Sequence, residues 1–417
     1  MRRGRGALDT RPPWLLPVAR QVLEAYHRPP LDRPRELAAY IELAIDRLPR
    51  PAALPAAPQV RRWFVPEPAM GRMPWPVPGL PSVRDLADFL QLGQGDLAWL
   101  ADARHLERSV PDERLRNYRY AWLPRGDRPA RVIESPKQRL KAAQRRVLHE
   151  ILDRIPAHTS AHGFTRGRSA LTNAAEHVSQ RVVVRLDLED FFASIAARRV
   201  YGIFRTAGYP EAVAHVLTAL TTNVIPTTTW AALPRPREQP QIVAHHRLGR
   251  RLATPHLPQG APTSPALANL AAFGLDRRLG GLATALGATY TRYADDLTFS
   301  GGGLLHARAG EIRALVTTIA GEEGFTVNDR KSALMTRAGR QRVCGIVVNE
   351  RPNVPRDEYD RLRAILHNAA RHGPAAENRA GAADFRAHLL GRIGWVESVN
   401  PARGAKLRAR FARIAWD

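Results

Sequence analysis

The stretch from Ala288 to Ser300 constrains this chain more than any other, because it sets two adjacent aspartates between aromatic and β-branched residues. Such flanks are typical of strands, so we predict two short strands with Tyr293-Ala294-Asp295-Asp296 at the turn between them. Neighbouring carboxylates repel each other, and a turn that exposes them needs a cation to neutralise the pair. A divalent metal such as Mg²⁺ is the natural candidate, because it prefers carboxylate oxygen and also binds phosphate. An ordinary polar hairpin turn is the alternative.

A second acidic segment lies about a hundred residues upstream, where Val182 to Phe192 begins as a β-branched run and ends in acids and paired aromatics. Asp187, at the end of a buried strand, stands on a rigid element of the kind that a metal ligand needs. Together with Asp295 it could hold two Mg²⁺ ions, one activating an attacking hydroxyl and one steadying a leaving pyrophosphate. Glu189 and Asp190 are interpreted more simply as solvated charges where the strand becomes a helix.

A third segment, Leu257 to Leu270, carries the pattern of a shaped turn followed by a helix. Pro and Gly mark the turn, and Ser264-Pro265 is typical of a helix N-cap with proline at the first helical position. A helix beginning here would offer free N–H groups near the acidic hairpin.

The charge of the chain predicts a polyanionic partner: 63 basic and 39 acidic residues give a net charge of +24. No apolar run approaches the roughly 18 residues of a spanning helix, and no secretory signal follows the basic N-terminus. With one cysteine, Cys344, the chain has no internal disulfide and no cysteine-based zinc site. We therefore expect a cytoplasmic protein that does not bind membrane.

In this order the three segments resemble those of retron-type bacterial reverse transcriptases. The family carries Asp-x-x-x-Phe-Phe, then Leu-Pro-Gln-Gly-Ala-Pro-Thr-Ser-Pro, then Tyr-Ala-Asp-Asp, and the equivalents here begin at Asp187, Leu257 and Tyr293. Asn173 and His177 match the retron Asn-Ala-x-x-His signature, and their spacing would put them on one helical face. Val343-Cys344-Gly345 stands where the family usually has Val-Thr-Gly.

The resemblance implies an α+β right-hand polymerase fold of fingers, palm and thumb, with an antiparallel palm sheet and a helical thumb. We expect a helical and proline-rich N-terminal extension over residues 1–80, and N-terminal helices and fingers over 81–180. The palm would span 181–350 with a fingers insertion at about 201–255, and the thumb 351–417. Within the insertion, Thr221 to Arg251 contains several prolines and His245-His246, and predicts a basic surface loop rather than a metal site.

The resemblance also assigns roles to individual positions. Asp187, Asp295, Asp296 and Lys331 would be catalytic, with Lys331 as a proton donor to the departing pyrophosphate. Two Mg²⁺ ions, replaceable by Mn²⁺, would be bound by Asp187, Leu188, Asp295 and Asp296. The incoming deoxynucleotide would be bound by Arg125, Arg131, Leu188, Phe192 and Gln259, with the Phe192 ring leaving no room for a 2′-hydroxyl. RNA would be bound by Asn173, His177, Val343, Cys344 and Gly345.

As a member of that family, the protein would copy a structured non-coding RNA into DNA. Priming from a 2′-hydroxyl of the same RNA would give a branched RNA–DNA hybrid, used in phage defence with a separate effector protein. The residues leave two alternatives open: a group II intron-like or abortive-infection reverse transcriptase with different priming, and a non-catalytic nucleic-acid-binding scaffold. The intact set of acids argues against the scaffold.

Overall fold

The computed structural model of the chain describes residues 13–26, 33–47, 68–125, 128–233, 236, 238–239, 241–379 and 381–416. Eight strands are described: β1 Tyr118–Arg125, β2 Arg128–Pro136, β3 Val182–Asp187, β4 Thr289–Tyr293, β5 Asp296–Gly301, β6 Ala333–Thr336, β7 Arg342–Val343 and β8 Ile346–Val347. The helices before β3 are α1 Leu15–Ala25, α2 Pro34–Asp46, α3 Val83–Leu90, α4 Gln94–Leu100, α5 Leu106–Ser109, α6 Gln138–Glu150 and α7 Ala170–Ala175. Those between β3 and β4 are α8 Ala197–Thr206, α9 Glu211–Thr221, α10 Thr227–Ala231, α11 Gln241–Leu252, α12 Ser264–Ala271 and α13 Phe273–Ala285. The later ones are α14 Gly303–Ala307, α15 Ala309–Glu322, α16 Arg356–His372, α17 Pro374–Glu377, α18 Phe385–Val399 and α19 Pro401–Phe411.

The chain divides by its contacts into two units, each formed from two separate segments. The first unit comprises Met1–Ile155 and Ile195–Leu267, and the second comprises Pro156–Ser194 and Ala268–Asp417. Within the described residues, no helix combines the length and the apolar character that crossing a bilayer requires.

The first unit is built around the β1–β2 hairpin and the helices that follow it. The two strands pair antiparallel from Tyr118 opposite Pro136 onward. Gln144 of α6 is fully buried, and its side-chain amide donates to the Tyr118 hydroxyl at 3.0 Å and to the Leu220 carbonyl at 2.8 Å. Because buried polar groups must be hydrogen-bonded, these contacts tie α6 to β1 and to α9.

The predicted helical pair after residue 81 is present as α3 and α4. The Ser82 hydroxyl accepts from the Asp85 N–H at 3.2 Å, and the Asp85 carboxylate accepts from the Ser82 N–H at 2.9 Å. This reciprocal capping box fixes the start of α3. Leu97 and Leu100 of α4 are buried, whereas Trp99 is 37% exposed. Within the predicted proline-rich extension over residues 1–80, residues 48–67 lie outside the described residues, and residues 68–78 contain no helix or strand.

Two local predictions in the first unit are wrong. The segment from Thr221 to Arg251 is not a loop, because α10 and α11 occupy much of it. His245 lies on α11, is buried, and packs against the Trp230 ring at 4.4 Å, so it does not belong to a surface loop. Ser264 is the first residue of α12 rather than its N-cap, and its hydroxyl donates to the Pro258 carbonyl at 2.7 Å.

The second unit contains a four-stranded antiparallel sheet in the order β4-β5-β3-β6, with β3 flanked by β5 and β6. The predicted hairpin of two short strands is thus confirmed as β4 and β5. Apolar side chains of β3, of the β7–β8 hairpin and of the C-terminal helices form one buried cluster, which includes Val183, Ile346, Leu366 and Ile393. The predicted helical character of residues 351–417 is confirmed by α16 to α19.

Candidate active site

Strand pairing brings two of the predicted catalytic carboxylates to the same end of the sheet. Asp187, the last residue of β3, is the cross-strand partner of Asp296, the first residue of β5. Asp295 lies in the turn between β4 and β5, and its carbonyl accepts from the Leu188 N–H at 2.9 Å. Ala294 of the same turn adopts a left-handed conformation, with φ at 56°. The tight hairpin therefore sets Asp295 and Asp296 beside the end of β3.

The electrostatics of this cluster are those of crowded carboxylates. Burial raises the pKa of Asp296 to about 6; Arg185, whose Nε lies 3.7 Å from its carboxylate, opposes that rise, while the negative charges of Asp295 and Asp187 add to it. Asp187 is 7% exposed, and its carboxylate accepts a hydrogen bond from the Lys331 ammonium. Asp187 and Asp296 thus each lie beside a cation of the protein, yet burial and the neighbouring negative charges still disfavour the ionised form of Asp296.

A divalent cation suits this donor set. Within the described ranges, no three side chains of His, Cys, Asp or Glu are already arranged as a metal site. Asp187, Asp295 and Asp296 nevertheless supply hard carboxylate oxygens from a strand end and an adjacent turn. A bound cation would offset both causes of the raised pKa of Asp296, which are burial first and then the neighbouring negative charges. The Leu188 side chain is 1% exposed and apolar, so only the main chain of this residue is able to contribute a ligand.

Phe192 belongs to a row of aromatic rings in the second unit. Its ring lies 5.7 Å from that of Phe191, which is buried and stacks on Phe325 at 5.7 Å. The Phe164 ring lies 6.0 Å from the Phe192 ring. The segment after β3 is a turn and not the predicted start of a helix: Asp190 has φ at 47°, and the next helix begins at Ala197. Phe192 thus lies in the turn that follows β3, which ends at Asp187.

The other predicted nucleotide-binding residues lie in the first unit. The Glu134 N–H of β2 donates to the Gln259 carbonyl at 2.9 Å, so the loop before α12 runs along the strand that carries Arg131. A side-chain carbon on Gly260, where φ is 133°, would lie 2.9 Å from the Glu134 carbonyl oxygen. This close approach requires glycine. The side chain of Arg125, at the end of β1, and the following Gly126 lie outside the described residues.

A buried polar network that the sequence did not indicate supports this loop. His256 and Glu134 are almost fully buried, and their Nε2 and Oε1 atoms lie 3.0 Å apart. Burial opposes protonation of His256, but the Glu134 carboxylate outweighs it and raises the pKa of the imidazole. The side-chain amide of Asn223 donates to the other Glu134 oxygen at 2.7 Å. With both oxygens bonded, Glu134 holds the residue immediately before the Leu-Pro-Gln-Gly turn.

The residues assigned to RNA binding are mostly interior, and the predicted direct contact is wrong for three of them. Asn173, His177 and Val343 are each 0% exposed. The helix α7 ends at Ala175, so His177 lies beyond it and does not share a helical face with Asn173. Its ring nitrogens lie 2.7 Å from the Ser300 hydroxyl and 2.6 Å from the Thr291 hydroxyl, and burial lowers its pKa to about 3.

Cys344 and Gly345 form the two-residue turn of the β7–β8 hairpin. Both have positive φ, 49° and 83°, which is the pattern of a type I′ turn. The Asn173 side-chain amide donates to the Cys344 sulfur at 3.3 Å, and burial raises the pKa of the thiol to about 12. The Cys344 thiol is therefore protonated, and Gly345 is the exposed member of the predicted set.

Arg292 is another residue that the sequence did not single out. It is 0% exposed on β4, and its guanidinium donates to the Asp276 carboxylate at 2.8 and 2.6 Å. A third donation, at 3.1 Å, reaches the Ala294 carbonyl in the turn before the two aspartates. An arginine beside an aromatic strand residue predicts a solvated charge, so no signal in the sequence marks this burial.

Comparison with known proteins agrees with the geometry. Residues 124–362 match the reverse transcriptase (RNA-dependent DNA polymerase) family. The chain is 41% identical over 335 residues to the Retron Mx65 reverse transcriptase of Myxococcus xanthus, covering 80% of this chain and 72% of that protein. It is 36% identical over 353 residues to the Retron Mx162 reverse transcriptase of the same organism, covering 80% and 67%. With the Retron Ec86 reverse transcriptase of Escherichia coli it shares 31% identity over 347 residues, covering 81% and 91%.

Among solved structures, a foamy viral protease-reverse transcriptase in complex with an RNA/DNA hybrid covers 71% of this chain and 30% of its own at 13% identity. The TM-score is 0.33, too low to support an argument about this chain. The family match, by contrast, spans both the hairpin that bears Asp295 and Asp296 and the strand that bears Asp187, and the retron relatives extend over most of the chain. The protein is therefore a member of the retron reverse transcriptases, RNA-directed DNA polymerases with the right-hand fold.

Proposed function

We propose that this enzyme copies one structured non-coding RNA into DNA and starts synthesis from a 2′-hydroxyl within that RNA. The observation that carries the proposal is the in-register pairing of Asp187 with Asp296 in a chain that aligns with retron reverse transcriptases over four fifths of its length. The product is a branched RNA–DNA hybrid. We assign it to anti-phage defence together with a separate effector protein.

We assign the chemistry to two Mg²⁺ ions held by Asp187, Asp295, Asp296 and the main chain of Leu188. The bound ions would supply an activated attacking hydroxyl and a neutralised pyrophosphate leaving group. Support comes from the donor oxygens at the end of β3 and in the β4–β5 turn, and from the burial and neighbouring negative charges that raise the pKa of Asp296. We also assign donation of a proton to the pyrophosphate to Lys331, and its contact with the Asp187 carboxylate supports this assignment.

Substrate selection is assigned to four further residues. Phe192 is half-buried, and its ring packs against two aromatic neighbours, Phe164 and Phe191. These contacts restrict the motion of the ring, and a steric gate requires such restriction. It would exclude the 2′-hydroxyl of a ribonucleotide. Arg131 and Gln259 belong to a strand and a loop joined by a main-chain hydrogen bond, and we propose that they bind the incoming nucleotide together with Arg125.

RNA recognition is assigned to exposed positions, since the buried signature residues do not reach solvent. The proposed contacts are Gly345 at the tip of the β7–β8 turn, the other exposed residues of the segment from Arg340 to Asn349, and arginines of the C-terminal helices. Asn173, His177 and Val343 would act by fixing that turn and the β4–β5 hairpin. A net charge of +24 gives general affinity for phosphate, while a folded RNA is distinguished by its shape and its unpaired bases.

The test supplies the purified full chain with the RNA transcribed beside its gene, deoxynucleotides and Mg²⁺, and no oligonucleotide primer. We expect DNA joined to RNA through a 2′ linkage, which a 2′,5′-debranching enzyme releases. An unrelated hairpin RNA serves as the control, and its binding should fall away near physiological salt while the cognate RNA stays bound. Product that appears only after a free 3′-end primer is added would overturn self-priming and leave the polymerase intact.

A further inference from the structure

An exposed phenylalanine beside Phe192 has no role in the assignments above. Phe164 is 49% exposed and has φ at 61°. The left-handed region is unusual for a residue with a bulky side chain, and such strain persists only where the surrounding structure enforces it. Strained residues concentrate at functional sites, so this combination of strain and exposure calls for a functional explanation.

The loop that carries Phe164 is fixed directly to the hairpin of the two aspartates. The His162 N–H donates to the Arg292 carbonyl at 2.8 Å, and the Arg292 N–H donates to the Ser160 carbonyl at 2.8 Å. The Asn269 side-chain amide donates to the Gly163 carbonyl at 2.9 Å. A side-chain carbon on Gly163 would lie 2.5 Å from the Ala294 nitrogen, so the loop and the turn touch through their main chains.

As a result, the Phe192 ring has two aromatic neighbours, Phe191 and Phe164. Phe191 is buried, stacks on Phe325, and lies beneath the Arg292 guanidinium at 5.6 Å. Phe164 is the other neighbour, with its ring centroid 6.0 Å from that of Phe192 and the two planes at 48°. This separation is within the range of favourable aromatic pairs. Phe191 is thus fixed in the core, and Phe164 is fixed by the loop that contacts the β4–β5 turn.

We infer that Phe164 is a second specificity-determining residue, which holds the Phe192 ring in the position where it excludes a ribonucleotide. The inference rests on the proposed role of Phe192 as the sugar gate. Without Phe164, the Phe192 ring would pack against Phe191 alone and would rotate more freely about its side-chain torsions. A Phe192 ring that rotates away would leave room for the 2′-hydroxyl of a ribonucleotide. On this inference, the exposed face of Phe164 borders the position of the nucleotide sugar, which accounts for an aromatic ring that is not buried in the core.

The experiment compares kcat/KM for a deoxynucleotide and the matching ribonucleotide on a DNA-primed RNA template. Phe164→Ala should reduce the ratio of the two values by roughly two- to tenfold, the factor that corresponds to one aromatic pair. Phe164→Tyr, which keeps the ring, should retain the wild-type ratio. Phe164→Gly removes the ring and also relieves the left-handed strain, so it should lose discrimination without loss of folding stability.

Two reference variants separate this inference from the proposed gate. Phe192→Ala should lose more discrimination than Phe164→Ala. Phe273→Ala, which removes an exposed ring packed at 5.2 Å against His158, should leave the ratio unchanged. If Phe192→Ala loses discrimination while Phe164→Ala and Phe164→Gly keep it, the inference about Phe164 is wrong and the gate stands. An equal fall in kcat/KM for both nucleotides in the Phe164 variants would also overturn it, and an unchanged ratio in Phe192→Ala would overturn both.

Discussion

The ammonium group of Lys331 donates to the carboxylate of Asp187, and the main chain three residues earlier is bonded to the same aspartate. The Asn328 N–H donates to the Asp187 carbonyl at 2.7 Å. The side chain and the backbone of one short segment are therefore both fixed to the end of β3. These two contacts hold the Lys331 ammonium close to the carboxylate of Asp187.

Replacement of Lys331 by arginine should separate proton donation from charge. Arginine keeps the positive charge but does not give up its proton near neutral pH. If Lys331 is a general acid, Lys331→Arg should lower kcat by about 10²-fold or more, with little change in the KM for deoxynucleotides. Single-turnover kinetics across pH measures this, and Lys406→Arg on α19 is the matched control. A wild-type rate for Lys331→Arg would exclude proton donation.

Replacement of either turn aspartate should stop polymerisation but spare RNA binding. Asp295→Asn and Asp296→Asn remove a charge from the proposed metal site, whose contribution to the transition state is several kcal/mol. DNA synthesis should fall by at least about 10³-fold, while affinity for the cognate RNA changes little. Glu311→Gln, at an exposed ion pair with Arg308, is the control. Full synthesis by both aspartate variants would refute the assignment.

Burial of His177 should make stability depend on pH in the acidic range. Its pKa is lowered from 6.5 to about 3, so the unfolded chain binds the proton more readily. The stabilisation is complete above pH 6.5 and is lost as pH falls towards 3, at about 1.4 kcal/mol per pH unit. Between pH 7 and pH 5, urea unfolding should show a loss that is about 2 kcal/mol smaller in His177→Gln than in the wild type. Equal losses would contradict the assignment, and His388→Gln, at an exposed site, is the control.

The ion pair between Arg292 and Asp276 should be strongly sensitive to removal of one partner. Both side chains are 0% exposed, and Asp276 also accepts from the Tyr290 hydroxyl at 2.9 Å. Asp276→Asn leaves a buried guanidinium without its counter-charge, at a cost of about 3–5 kcal/mol in the free energy of unfolding. Chemical denaturation should show this. Loss of the exposed Arg308–Glu311 pair should cost less than about 1 kcal/mol, and a comparable value for Asp276→Asn would contradict the prediction.

Local patterns predicted the parts of the site that depend on neighbours in sequence. β-branched and aromatic residues on both sides of Ala294 indicated the hairpin, and the valines before Asp187 indicated a buried strand. α11 was missed because the prolines before it suggested a loop, although they end before Gln241. Its stability comes partly from packing of His245 on Trp230, which no local pattern shows.

Long-range burial was the part that sequence could not supply. The spacing of His177 from Asn173 suggested a shared helical face, but α7 ends at Ala175. The hydroxyl groups that contact His177 lie 114 and 123 residues away in the sequence, where no local pattern shows them. The same holds for Glu134, whose partner His256 is 122 residues distant. A polar residue in a motif looks like a ligand contact until the fold shows that it is enclosed.

The approach of Gly163 to Ala294 limits how this enzyme can be recombined with its relatives. Because no side chain fits between the two main chains, a transplanted catalytic hairpin requires a loop that keeps glycine at position 163 and the same path along the turn. Chimeras should therefore exchange residues around 158–168 and 288–301 as one module. Chimeras that take these two segments from different enzymes should lose stability through poor packing at Gly163 and Ala294, whatever their catalytic residues.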